Sequence, residues 1–173
     1  MKKLLIVVDM QNDFVTGALG SKEAIGILSA VNEKIARSEL VVYTLDTHTD
    51  EYLATQEGHN LPVVHCVKGT WGHALADGLL VKPDSLRIEK PTFGSLELGA
   101  YVKRSFESGE IDFAELVGVC TDVCVISNAL LLKAHCPQLP ISVDASCCAG
   151  VTPQSHENAL EAMKMCQITV ING

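Results

Sequence analysis

Leu4-Leu5-Ile6-Val7-Val8 is an unbroken apolar run, rich in β-branched residues, that stops abruptly on Asp9. A strand with one wet face alternates apolar with polar residues, so a run without alternation belongs to a strand buried on both faces. Similar runs recur at Leu40-Val41-Val42-Tyr43-Thr44-Leu45, Leu116-Val117-Gly118-Val119, Pro140-Ile141-Ser142-Val143 and Ile168-Thr169-Val170-Ile171. Ser85-Leu86-Arg87-Ile88 is a weaker one. Between them, helical periodicity covers roughly 21–38, 95–107, 122–135 and 154–166. Strands alternating with helices imply right-handed crossovers and a parallel sheet with helices on both faces. At 173 residues and 47% hydrophobic composition, one domain over 1–173 accounts for the chain, with no repeat or low-complexity linker to divide it.

Charge and cysteine content narrow the function classes. Thirteen basic residues against 21 acidic leave a net charge of −8, which gives no bulk field for phosphate backbones or an anionic membrane surface. Neither nucleic acid nor membrane is therefore an expected partner. The seven cysteines are odd in number, so they cannot form a complete intramolecular disulfide set. Met1-Lys2-Lys3 leads into only five apolar residues, too few for a secretory h-region, and the expectation is a cytoplasmic protein with free thiols.

In an open α/β sheet the ligand site lies beyond the carboxyl ends of the strands. There the chain offers Asp9, Asp46 with His48, Glu89-Lys90, and Cys120 to Cys124. Thr121 is a candidate N-cap for a helix starting at Asp122, which would put Cys124 in the first turn, where backbone N–H groups favour a thiolate. The competing reading is a small packed apolar residue, the usual role of a free cysteine. Asp9, at the end of a buried strand, is a candidate base whose pKa desolvation would raise; it could equally cap the following loop. Asp13, further along that loop, reads as structural. Lys90 could lower the pKa of a neighbouring thiol or simply pair with Glu89 at the surface. Asp46-Thr47-His48, with His65 downstream and Glu57 and His59 between, could hold Zn²⁺, Fe²⁺ or Mn²⁺; for the D-x-H alone a hydrogen-bonded Asp–His pair is the commoner explanation, and His65 raises the odds of a metal. Irregular sequence over 46–84, punctuated by glycines, surrounds these residues; long loops of this kind are usually functional. The chain has no G-x-G-x-x-G, Walker-type, G-x-S-x-G or H-E-x-x-H motif, so dinucleotide, NTP and serine-hydrolase chemistry lack support.

The ordered set Val8-Asp9-Met10-Gln11-Asn12-Asp13-Phe14, Asp46-Thr47-His48, His65-Cys66-Val67-Lys68-Gly69-Thr70, Lys90 and Gly118-Val119-Cys120-Thr121-Asp122-Val123-Cys124-Val125 resembles the isochorismatase-like cysteine hydrolases, in particular their nicotinamidase branch. The resemblance spans nearly the whole chain. It implies a three-layer α/β/α sandwich with a mainly parallel, six-stranded Rossmann-like sheet. It also implies a catalytic triad at Asp9, Lys90 and Cys124, and a non-proline cis peptide before Cys120. The Cys120 and Cys124 amides would then form an oxyanion hole. The metal ligands would be Asp46, His48 and His65, with Glu57 favoured over His59 as the fourth. Substrate-facing positions fall on Phe14, Val119 and Val123. Zn²⁺ is the expected metal, with Fe²⁺ or Mn²⁺ as alternatives, and a homo-oligomer, dimer or tetramer, is the expected assembly.

The departures bear on substrate. Thr47 stands where nicotinamidases often have an aromatic residue, Pro62-Val63-Val64 supplies none, and the Lys90-to-Ser95 segment is shorter than usual. Phe14, Trp71 and Phe93 are the aromatic residues that could compensate. The leading expectation is a metal-dependent hydrolase cleaving a small, nicotinamide-like carboxamide through a Cys124 thioester. The alternatives are an amidase or carbamoyl hydrolase for a non-aromatic substrate, and a non-catalytic α/β binding module on the same fold.

Overall fold

The computed structural model describes residues 2–173. Six strands form one sheet: β1 (Lys3–Val8), β2 (Leu40–Asp46), β3 (Leu86–Lys90), β4 (Phe113–Val119), β5 (Ile141–Ala149) and β6 (Thr169–Ile171). Their order is β3-β2-β1-β4-β5-β6, and every neighbouring pair is parallel. The helices are α1 (Asn12–Val15), α2 (Lys22–Arg37), α3 (Gln56–Asn60), α4 (Leu96–Glu107), α5 (Ile126–His135) and α6 (Pro153–Met165).

The unbroken run of β1 is explained by its place at the centre of the sheet. Leu4, Ile6 and Val8 pack against Leu98 and Val102 of α4, Ala129 and Leu132 of α5, and Leu160 and Met163 of α6. Leu5 and Val7 face the other way, toward Val15 of α1 and Val31 and Ile35 of α2. The result is a three-layer sandwich, with both faces of the strand out of water. Ser21 caps α2 by accepting the Ala24 amide, and Thr152 closes a capping box at the start of α6, with Pro153 as its first residue.

Three local features differ from the sequence-based expectation. β5 runs through Cys147 and Cys148 to Ala149, because after a register shift it resumes pairing with Gly118 and Val119 of β4. The shift accommodates Asp144 and Ser146, polar residues that interrupt the apolar pattern. Lys90 does not lie beyond β3 but is its last residue, paired in register with Asp46. The 46–84 stretch is not wholly irregular: it holds a 3₁₀ turn at Tyr52–Ala54, helix α3, and single bridges His48–Val67 and Gln11–Leu75.

Candidate active site

Strand order reverses at β1, which has β2 on one side and β4 on the other, and a crevice opens where such a reversal occurs. Asp9 and the Cys120–Cys124 segment therefore meet at the carboxyl ends of β1 and β4. Close approach is possible because residue 118 is glycine: a Cβ there would come within 2.2 Å of the Val8 carbonyl oxygen, and its φ is +115°. Asp9 itself adopts φ 48°, a strained conformation for a non-glycine residue.

Asp9, Lys90 and Cys124 come together as a buried cluster. The Lys90 ammonium lies 2.6 Å from Asp9 Oδ2 and 3.5 Å from Asp46 Oδ1, and it donates to Cys124 Sγ at 3.5 Å and to the Thr92 carbonyl at 3.1 Å. Thr44 donates its hydroxyl to Asp9 Oδ1 at 2.6 Å. The Lys90 contact is an ion pair, and that buried Oδ2 takes no further hydrogen bond. Burial raises the Asp9 pKa, the Lys90 charge opposes the rise, and the Asp46 charge adds to it. Lys90 keeps its charge: burial works against the ammonium, but Asp9, Cys124 and Asp46 outweigh it.

The thiol departs from expectation. The turn Thr121–Val125 is a π-turn ahead of α5, its cap is Cys120 rather than Thr121, and no side chain caps it. The Thr121 hydroxyl instead bonds His156 Nδ1 at 2.8 Å. Burial, reinforced by Asp9 and opposed by Lys90, pushes the Cys124 thiol well above its ordinary value. Desolvation thus works against the thiolate that a helix terminus alone would favour. Cys120 is also pushed up, to about 12, chiefly by burial. The peptide between Val119 and Cys120 is cis. The Cys120 carbonyl accepts from the Val123 and Val125 amides and passes over that of Cys124.

Beside this cluster, Asp46, His48, Glu57 and His65 place ligand atoms within 4.8 Å of one another. His48 Nε2 is 2.9 Å from Asp46 Oδ2 and 3.5 Å from Glu57 Oε1, yet it is a buried atom with no aligned hydrogen bond. The His65 Nδ1–H donates to the Val63 carbonyl at 2.7 Å, which assigns the free lone pair to Nε2, the atom facing Asp46 and Glu57. An orphaned imidazole nitrogen among two carboxylates and a second, oriented imidazole fits a divalent cation. Tyr52 packs against both imidazoles, with ring centroids 4.6 Å and 4.9 Å away. Burial raises the Asp46 pKa, but the neighbouring His48 and His65 imidazoles and the Lys90 charge outweigh it and hold the carboxyl far below the usual carboxylate range. His59 is exposed and outside the group.

Both clusters open on one cavity of about 400 Å³. Phe14, Phe93, Val119 and Val123 line it with Cys120, Cys124, Asp46, Glu57 and His65. Trp71 is not among the lining residues; it is over half exposed and donates its indole N–H to Asp77, because the 69–78 turns carry it away from the crevice. Asp13 fastens loops: its carboxylate accepts from the Cys66 and Ala18 amides. Two supporting residues were not singled out by residue type. Gln11 accepts from the Asp46 amide at 2.7 Å and donates to the Asp46 and His73 carbonyls. Thr44 lay inside an apolar run and showed no polar pattern of its own.

An isochorismatase domain model matches residues 3–173. The chain belongs to the isochorismatase family. Within it, an isochorismatase family protein of Bacillus subtilis is 29% identical, over 92% of this chain and 93% of its own. The nicotinamidase/pyrazinamidase of Mycobacterium tuberculosis is 27% identical over 98% of each chain. Pyrazinamidase of Pyrococcus horikoshii, solved in complex with zinc, superposes with a TM-score of 0.81 at 28% identity, covering all of both chains. This isochorismatase-family chain shares the sandwich fold with that structure.

Proposed function

We propose that the chain is a metal-dependent cysteine amidohydrolase that cleaves a small, nicotinamide-like carboxamide to the acid and ammonia. The observation that carries this reading is the Asp9–Lys90–Cys124 cluster, whose Cys124 lines a cavity of substrate size with Asp9 and Lys90 buried behind it. Asp9 takes the Cys124 proton as the sulfur attacks the carbonyl carbon, and the Lys90 ammonium stabilises the developing thiolate. The Cys120 and Cys124 amides hold the oxyanion. Asp9 returns the proton to the departing nitrogen, ammonia leaves and a thioester forms. Asp9 then takes a proton from water as it attacks the thioester, and the acid is released with Cys124 restored as a thiol. Phe14, Val119 and Val123 enclose the body of the substrate.

Asp46, His48, Glu57 and His65 are the residues that would hold a divalent cation, Zn²⁺ by preference with Fe²⁺ or Mn²⁺ as alternatives. Bound there, it would supply an electrophilic anchor for a lone pair of the substrate. The named activities of the relatives support the reaction class, and the zinc complex of a relative supports a metal. The seven cysteines are all unpaired, which fits a reducing cytoplasm, and no helix among the described residues is long and apolar enough to cross a membrane. The assembly we propose is a homodimer or tetramer of a single hydrolase domain spanning 1–173.

Ammonia release from a panel of nicotinamide, pyrazinamide and aliphatic amides tests the function. Turnover of nicotinamide that is lost on Cys124→Ala is the expected result; full turnover by that variant would exclude the thioester route. Turnover confined to the aliphatic amides would move the substrate class to non-aromatic carboxamides.

A further inference from the structure

Asn128 lies one turn beyond Cys124 on α5, is completely buried, and is not part of the reacting cluster. Its side chain reaches three separate backbone groups. Nδ2 donates to the Cys124 carbonyl at 2.8 Å and to the Phe93 carbonyl at 3.1 Å, and Oδ1 accepts the Ser95 amide at 2.9 Å. Two acceptors and one donor admit a single orientation of the amide, and no carboxylate could replace it, since a carboxylate has no hydrogen for either carbonyl.

The segment that Asn128 grips runs from the catalytic cation to the start of α4. Lys90 holds the Thr92 carbonyl, Thr92 donates its hydroxyl to the Gly94 carbonyl, and Ser95 caps α4 by accepting the Leu98 amide. Phe93, at the middle of the segment, turns its ring to the cavity and is almost half exposed, so few side-chain contacts fix it. Its position is set through its backbone, and that backbone is tied by one buried amide to the residue carrying the thiol.

We propose that Asn128 is a positioning residue that holds the Phe93 wall in register with Cys124 and thereby governs how tightly a ring-bearing amide is bound. The proposal rests on the amidohydrolase reading given above. Removing Asn128 costs the nucleophile's turn one bond, while the Val123 and Val125 amides still hold it on the Cys120 carbonyl, and it frees the wall, so the loss falls on KM for a ring substrate more than on kcat.

A double-mutant cycle between Asn128→Asp and Phe93→Ala, read in nicotinamide KM, tests it. Each single variant is expected to raise KM about tenfold, and the double variant no further than the larger single. Asn128→Thr provides a second reading, because a threonine hydroxyl can still donate to the carbonyl four residues back while losing Phe93 and Ser95. It is expected to raise KM while leaving the rate of Cys124 alkylation by iodoacetamide unchanged. Multiplicative effects in the cycle, an unchanged KM, or a fall in kcat alone would overturn the coupling. Failure of both Asn128 variants to fold would make it a general stability residue and overturn the assignment too. A parent enzyme that releases no ammonia would instead overturn the function proposed above.

Discussion

The sheet buries two clusters of acids and lysines, and they are built on opposite principles. Toward the amino end, Lys3 and Lys34 pair with Glu115 of β4, and Lys34 also pairs with Asp144 of β5. Asp144 accepts further from the Ser146 amide and hydroxyl and from the Asn172 amide group. Burial raises its pKa, but the Lys34, Ser146 and Asn172 hydrogen bonds overcome this and hold the carboxyl below the ordinary range. At the carboxyl end, Asp9 is equally buried, yet its carboxyl is displaced upward and one oxygen is held by the Lys90 ion pair alone. In the neighbouring cluster His48 Nε2 has no aligned hydrogen bond. Saturated partners fix a charge state, whereas unfilled capacity leaves a group able to take a proton or a cation.

The contrast breaks most sharply at Asp9. Asp9→Asn keeps the shape but not the base, and ammonia release is expected to fall by roughly 10²- to 10⁴-fold with the fold retained by circular dichroism. Turnover close to that of the parent would mean that the unsaturated oxygen has no part in proton transfer.

Metal removal comes next in size. Dialysis against a chelator is expected to suppress turnover, and adding Zn²⁺ back to raise Tm of the parent but not of His48→Ala, since a cation bound only to the native state stabilises it. Equal Tm shifts in the two proteins would exclude His48 as a ligand.

At the other end the effect should appear in stability alone. Lys34→Met leaves Glu115 and Asp144 short of a partner and is expected to cost about 3 kcal/mol in denaturant unfolding, with kcat/KM unchanged. A matching loss of activity would erase the distinction between the clusters.

The smallest effect is a pH dependence. Because the Asp144 pKa is lowered on folding, its contribution is complete above the ordinary value of 3.8 and is lost as pH falls through the lower folded value. Asp144→Asn should therefore flatten the acid limb of the stability curve below pH 3.8 and leave the neutral region parallel to the parent. An unchanged acid limb would assign that loss of stability to other carboxylates.

Much of this was legible in local pattern. The both-face burial of β1 follows from five consecutive apolar residues, and helices α2, α4 and α6 from their periodicity and caps. The stop of β1 on Asp9 and the D-x-H at the end of β2 pointed to the crevice, because strand ends in a parallel sheet lie on one side. Other features were hidden because they depend on partners remote in the chain. β5 continues past Asp144 because Lys34 of α2 and Asn172 satisfy the acid. Trp71 had the right chemistry for a substrate wall, but the turns between Gly69 and Gly78 direct it to solvent. Gln11, Thr44 and Asn128 act through hydrogen bonds spanning 33 to 62 residues of sequence, and no periodic signal marks such contacts.

The sequence by itself determined the layered parallel sheet and the residue types at its carboxyl edge, since burial period and strand ends are local properties of the chain. The proton affinities of those residues come from the tertiary fold. The upward shifts of Cys124 and Asp9 depend on desolvation and on charges a few ångströms away, contributed by strands far apart in sequence.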